Sequence, residues 1–327
     1  MLRKSLAVAV TLTAAAAFAP AAEAKNVTVM TRNLFLGADL IPLATAPADQ
    51  FQHQASQVFD SVTATDPNGR MKLVAGEIAK AKPDLVGLQE VSLWRKGAAP
   101  ASDVVYDYTA TIMKELGRRH AHYRLVTLKR GFNVEGPTDR GTDIRLTLGD
   151  AILARKGVKV SHVRSAVFKK QLTIATNGVG PVQATRGYNE LDARIGKLRF
   201  HFVNTHLEAY SPDIRLAQAK ELVAGPLKSK LKTVLVGDLN SGPDLASPAD
   251  RPPYKAIAAA GFTPERTSKD SCCFGDSLNA GGWDHNVDWI MAKPKVKLVR
   301  SSLTGTETTA AGVHPSDHGG VVSTLRF

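Results

Sequence analysis

Cysteine is almost missing from this sequence. The 327-residue chain has two, side by side at Cys272 and Cys273, so a disulfide-stapled scaffold, a CxxC redox pair and any Cys/His zinc spacing are excluded. Neighbouring Cα atoms lie about 3.8 Å apart, closer than the usual disulfide range; a vicinal bridge and a pair of reduced thiols both stay open. Long apolar runs are equally scarce. Leu6 to Ala19 is the one candidate, and it is too short for a comfortable membrane span. There is no repeat with a period of roughly 20–50 residues. No low-complexity tract, linker or block of like charge divides the chain beyond that run, which excludes solenoids and charged tails.

The amino terminus reads as an address. Arg3 and Lys4 precede the apolar Leu6–Ala19 run, and Ala22-Glu-Ala24 is an A-x-A cleavage pattern. Residues 1–24 are therefore expected to be a secretory signal peptide, making the protein secreted or periplasmic and leaving residues 25–327 as one domain. With Arg3, Lys4 and Glu23 removed, the formal net charge falls from +12 to +11. Such an excess draws a protein to polyanions: nucleic acid, anionic lipid or phosphorylated ligands. It is spread along the chain, so it argues for a field rather than for one contact patch.

What is abundant is a run of short apolar segments that each end in a polar residue. Asn26–Thr31 alternates as a strand and leads to Asn33. Leu85–Gln89 reads as a buried strand followed by Glu90, and Lys197–Val203 is one arm of a hairpin ending near His206. Thr233–Val236 is a β-branched buried run that opens into Gly237-Asp-Leu-Asn240. Asp288 lies in the strand between Trp283 and Ala292, and Asp317-His318 precedes the closing strand at 320–326. Strand ends gathered at one sheet edge place such groups in one cleft. Helices are expected at 71–82, 106–119, 213–223 and 254–260, and loops at 129–143 and 305–312. Residues 38–70 form an excursion with helical potential at 48–59. Many strands with few helices between them fit an α/β sandwich of two packed, mainly antiparallel sheets flanked by helices.

The ordered set Thr31-Arg-Asn33-Leu, Gly87-Leu-Gln-Glu90-Val, Asn204-Thr-His206-Leu, Gly237-Asp-Leu-Asn240, Val287-Asp288-Trp-Ile and Ser316-Asp-His318 resembles the endonuclease/exonuclease/phosphatase superfamily with the DNase I-like fold. The resemblance implies a four-layer sandwich and a hydrolase acting on phosphoesters. It implies that Glu90, with Asn33 and Asp317 beside it, binds Mg²⁺, with Mn²⁺ or Ca²⁺ as alternatives. Asp238 would then position or deprotonate the attacking water and Asn240 would hold a phosphate oxygen. His318, oriented by Asp288, would contact phosphate or share the base role, and His206 would donate near the scissile bond. One departure stands out: Thr127 occupies the place where DNase I relatives carry a Glu that partners the first histidine.

Three functions follow. The favoured one is a Mg²⁺-dependent phosphodiesterase acting on nucleic acid, with Arg95, Lys96, Lys129, Arg130 and Arg140 in loops that track the backbone. The alternative is a sphingomyelinase-like or phosphoinositide-directed enzyme of membrane lipid. Leu40, Ile41, Leu43, Phe51 and Phe59 would then dip into a membrane, unless they form a packed flap. The third is a non-catalytic polyanion-binding protein. No protein partner is indicated, and a monomer is expected.

Overall fold

A computed structural model describes residues 25–327; the signal-peptide reading concerns residues 1–24 and lies outside them. The elements stack as helices, sheet, sheet, helices. The larger sheet has eight strands and the smaller six. Val29, Leu85, Ile152, Phe200, Phe202, Val234, Val236 and Ile290 fill the space between the two sheets. Each large side chain buried there contributes on the order of 1.5–3 kcal/mol. The other face of the large sheet packs through Met30, Val86, Leu88 and Leu153 against the helices Phe51–Ala64, Pro67–Ala81 and Tyr108–Arg118. The outer face of the small sheet packs through Val203, Leu235 and Met291 against Pro212–Ala224 and Pro252–Ala259. Among the described residues no helix is long and apolar enough to cross a membrane.

Most strand pairs are antiparallel, and each large sheet contains one parallel pair. In the larger, Asn26–Asn33 runs parallel to Leu85–Gln89. In the smaller, Leu198–His206 runs parallel to Thr233–Asp238. A parallel pair needs a crossover, and helices supply both: Pro67–Ala81 closes the first, Pro212–Ala224 the second. The starts of these helices are written locally. Asp66 accepts from the Gly69 amide ahead of Pro67, and Ser211 accepts from the Ile214 amide ahead of Pro212, as an N-cap before proline should. The consequence for function is geometric. All four strands of the two parallel pairs finish on one rim, and they deliver Asn33, Glu90, His206 and Asp238 there.

The remaining site residues arrive from the opposite direction. Asp288 opens the strand Asp288–Lys293 rather than closing one, and its antiparallel register sets it across from Asp238. Asp317 and His318 likewise precede the strand Gly320–Arg326.

Other expectations are corrected. Residues 129–143 are largely not a loop: Tyr123–Pro137 is one long strand, bulged between Leu125 and Thr127 and again between Arg130 and Phe132. Bulges absorb the extra residues that disguise it. The 38–70 excursion is a packed layer with helices Ile41–Thr45 and Phe51–Ala64, whose Phe51, Ala55, Val58 and Val62 are buried. An unforeseen strand, Lys297–Thr304, borders the large sheet. Of the two states left open for Cys272 and Cys273, the structure has them joined to each other.

Candidate active site

The floor of the rim is a buried amide lattice that ties the two sheets together. Asn204 Nδ2 donates to the Leu88 and Ala151 carbonyls at 3.1 Å each, and Gln89 Nε2 donates to Asn204 Oδ1 at 2.6 Å. Thr31 Oγ1 completes it by donating to Gln89 Oε1 at 3.2 Å. Gly87 is required by this approach, because a Cβ there would stand 2.4 Å from Asn204 Oδ1. A fully partnered polar lattice of this kind fixes the side chains above it.

Above that floor the eight residues singled out from sequence come together. Asn33 is the hinge pin, its Nδ2 lying 3.0 Å from Asp238 Oδ2 and 3.4 Å from Glu90 Oε1. Glu90 Oε2 accepts from the Leu36 amide at 2.8 Å, and Asp238 Oδ1 accepts from the Asn240 amide at 2.8 Å. His318 Nε2 stands 3.8 Å from Asp238 Oδ2 and 4.0 Å from Asp317 Oδ1. Its other nitrogen, Nδ1, is held by Asp288 Oδ2 at 2.9 Å, and Ser271 Oγ donates to that same oxygen at 2.9 Å. Ser316 bridges the rim by donating to the Asn33 carbonyl at 2.9 Å. Asn240 Nδ2 donates to the Leu207 carbonyl at 3.0 Å. Glu90 and Asn240 both have left-handed backbones, with φ of 54° and 46°. A non-glycine residue holds that conformation at a cost of about 1–3 kcal/mol, and such residues gather at functional sites.

The histidine left without its expected acidic partner has a different one. Thr127 is turned to Ser165 and Asn189, and the nitrogen it would have served, His206 Nδ1, faces Arg186 Nη1 at 2.8 Å. A guanidinium only donates, so Nδ1 must accept. Nε2 faces Asp238 Oδ2 at 3.4 Å and the Asn240 amide nitrogen, itself a donor, at 3.2 Å, and on a neutral ring it carries the one proton, toward Asp238. Arg186 is the residue that sequence reasoning missed. It precedes the strand Gly187–Ile195, whose pairing of Gly187 with His206 is what brings it to the site.

The electrostatics separate the titrating groups. Burial, helped by Arg186 and His318, pushes His206 well below the ordinary imidazole value, so it is neutral. Burial also disfavours charge on His318, but Asp288, Asp317 and Asp238 outweigh it and hold that imidazole well above the ordinary value. Asp238 is raised to about 6, chiefly by burial. Burial raises Glu90, with Asp317 adding to it, and burial raises Asp317 as well. Three buried carboxyls that resist ionisation, beside an Asp288 whose Oδ1 is buried without a partner, form a site short of positive charge. Hard oxygen donors in that state suit a divalent cation. Asp238, Asp288 and His318 have donor atoms within 4.8 Å of one another, but Asp288 and His318 are engaged with each other. Glu90 and Asp317 remain as carboxylates for such an ion, while Asn33 turns its Nδ2 rather than its oxygen to Glu90 and Asp238, its Oδ1 accepting from the Phe35 amide at 3.0 Å. Cys272 and Cys273 sulfurs lie 3.7 Å from His318 Nε2; joined to each other, they offer no thiolate.

The Endonuclease/Exonuclease/phosphatase family model matches residues 51–318, and the chain belongs to this family. It is accordingly a hydrolase of phosphoester bonds. Among solved structures it resembles an endonuclease/exonuclease/phosphatase from Beutenbergia cavernae, with 18% identity, 92% of this chain and 72% of that one covered, and a TM-score of 0.59. It resembles D. rerio TDP2 complexed with a single-strand DNA product, at 16% identity over 92% and 98% of the two chains with a TM-score of 0.55. A Bacteroides thetaiotaomicron family protein matches at 15% identity over 94% and 99%, also with a TM-score of 0.55. These likenesses establish the DNase I-like fold. No curated protein matches the chain in sequence.

Proposed function

We propose that the protein is an exported, Mg²⁺-dependent phosphodiesterase in which Asp238 is the general base and His318 the charged donor to phosphate. The observation that carries this reading is the Asn33 amide lying within 3.4 Å of Glu90 and 3.0 Å of Asp238, which draws carboxylates of both sheets to one point. Glu90 and Asp317 would hold a divalent cation, which when bound would supply Lewis-acid neutralisation of charge on the phosphoryl oxygens. The rest falls to the side chains. Asp238, raised to about 6, is ionised at neutral pH yet basic enough to take a proton from water as that water's oxygen bonds to phosphorus. Environments that push pKa values apart assign the roles. His318 keeps its proton and donates from Nε2 to a phosphoryl oxygen, while neutral His206 donates from Nε2 on the other side. Asp288 holds the His318 ring and Arg186 the His206 ring. The ester oxygen leaves opposite the incoming water and takes up a proton from solvent.

Nucleic acid is the substrate favoured by the +11 charge, but several of the basic side chains expected to track it are engaged elsewhere. Arg140 pairs with Asp60, Arg95 bonds Thr147 and Asn133, and Lys96 lies over the Phe59 ring. The local geometry therefore supports the phosphodiester more strongly than the polymer. The test is hydrolysis of bis(p-nitrophenyl) phosphate and nicking of plasmid by the mature protein with Mg²⁺ and with EDTA. EDTA-sensitive p-nitrophenolate release is expected; release that persists undiminished in EDTA contradicts the reading.

A further inference from the structure

The catalytic cluster is one end of a longer cavity. From Glu90, His206, Asp238 and His318 a space of about 200 Å³ extends between three walls, and its far part is apolar. One wall is the segment after the first strand, with Leu36, Leu40 and Leu43. The second is the long strand Tyr123–Pro137, which contributes Phe132 and Val134. The third is a small hairpin of Leu172–Ile174 and Val182–Ala184. In that hairpin the alternation is one-sided. Ile174, Val182 and Ala184 are half-buried toward the cavity, while Thr173 and Gln183 are exposed, as expected of a strand pair that covers an apolar interior. Lys129, Asp150 and Arg186 form a polar collar where the apolar part meets the cluster. A polar collar at the reacting end with aliphatic walls beyond it is the pattern of an amphiphile site.

We propose that this cavity takes the alkyl chain of an amphiphilic phosphodiester whose phosphate sits at the His206/Asp238/His318 end. This rests on the phosphodiesterase reading and names its substrate class. Two features select a chain over a nucleobase. The far walls are aliphatic, with Leu40, Leu43, Ile174, Val179 and Val182 dominating. Phe51, Phe132 and Tyr210 are the aromatic side chains on the lining, with Phe51 packed down against Gly136 and Gly178, so aliphatic side chains outnumber platforms of the kind that stack bases. Lys129, Asp150 and Arg186 gather at the collar, where an ester oxygen would lie, and beyond it the polar lining is limited to Thr176 and Thr185.

The test is a series of p-nitrophenyl n-alkyl phosphodiesters from methyl to octyl, kept below their aggregation concentrations, with thymidine 5′-(p-nitrophenyl phosphate) alongside. In each, water attacks phosphorus, the bond to the aryl oxygen breaks, and p-nitrophenolate and an alkyl phosphate are released. The expected result is kcat/KM rising roughly fourfold per methylene until the chain outgrows the cavity, with octyl exceeding the thymidine ester. Val182→Asp and Ala184→Phe should each reduce the octyl-to-methyl ratio by on the order of tenfold or more. The two substitutions act differently, by polarity and by volume, so one misfolded variant does not decide the matter. A flat chain-length series with the methyl ester turned over overturns the cavity assignment and leaves the phosphodiesterase reading intact. Preference for the thymidine ester also overturns it and assigns the space to a base. Failure of every ester in Mg²⁺ overturns the phosphodiesterase reading, and this inference with it.

Discussion

Replacing Asp288 by Asn changes one charge and almost no shape, and its consequences are computable from the site. Asp288 Oδ2 holds His318 Nδ1 at 2.9 Å and Ser271 Oγ at 2.9 Å, fully buried. An amide oxygen in the same position keeps both contacts, and its nitrogen falls where Oδ1 now has no partner. What is lost is the charge-assisted part of the His318 bond. A hydrogen bond to a charged group contributes about 1.5–3 kcal/mol, so the His318 titration should move down by roughly 1–2 pH units in Asp288→Asn. The direct readout is imidazole NMR of metal-free protein from about pH 5 to 9, across the range in which His titrates. Stability should follow with a definite sign. A histidine raised in the folded state contributes stability that is complete below its unfolded value and lost as pH rises through its folded value. The wild type should therefore exceed the variant most at acid pH, and the gap should close on the alkaline side. Turnover should fall by roughly 10²–10³, as when a donor to developing charge is removed, with KM little changed. If His318 titrates at the same pH in both proteins, Asp288 does not hold its proton and the role given to the pair is wrong.

Asp238→Asn should abolish turnover and stabilise the metal-free protein. Its carboxyl is raised from 3.8 to about 6 by burial, so the ionised form is disfavoured by on the order of 3 kcal/mol at neutral pH. That gain should vanish below about pH 4, where both folded and unfolded carboxyls are protonated; chemical denaturation at two pH values reads it. Mg²⁺ at about 100 times its Kd should raise Tm by on the order of 5 °C, and Glu90→Gln or Asp317→Asn should lose most of that increment in differential scanning fluorimetry. Arg186→Met should raise the His206 titration by removing a positive neighbour, seen by NMR, and unchanged titration would discount that pair. Phe200→Ala, in the core between the sheets, should cost about 3–5 kcal/mol without altering the site's metal affinity.

The central parts of the fold were legible because they are buried on both faces. Leu85–Gln89 and Thr233–Asp238 lie inside their sheets and are written as unbroken apolar runs. Edges were harder. Lys297–Thr304 borders the large sheet and alternates charge and serine with its apolar residues, which protects an edge and erases the pattern that reveals a strand. Gly131, Gly136 and Pro137 made the second half of Tyr123–Pro137 look like a loop, although bulges and the pairing with Asp143–Arg155 keep it extended. At the site, every residue standing at a strand end inside a short motif was visible. Arg186 was not, because its importance comes from a cross-strand register that no local spacing records. Asp288 was visible, but its position at the start of a strand follows only from antiparallel pairing with Asp238.

The most direct test of the account is anomalous diffraction at the manganese edge from crystals of residues 25–327 equilibrated with Mn²⁺. The account predicts one strong peak within coordination distance of the Glu90 and Asp317 carboxylates, facing Asp238. A peak at Cys272, Cys273 and His318 instead, or none near Glu90 in a protein that hydrolyses phosphodiesters, would contradict it.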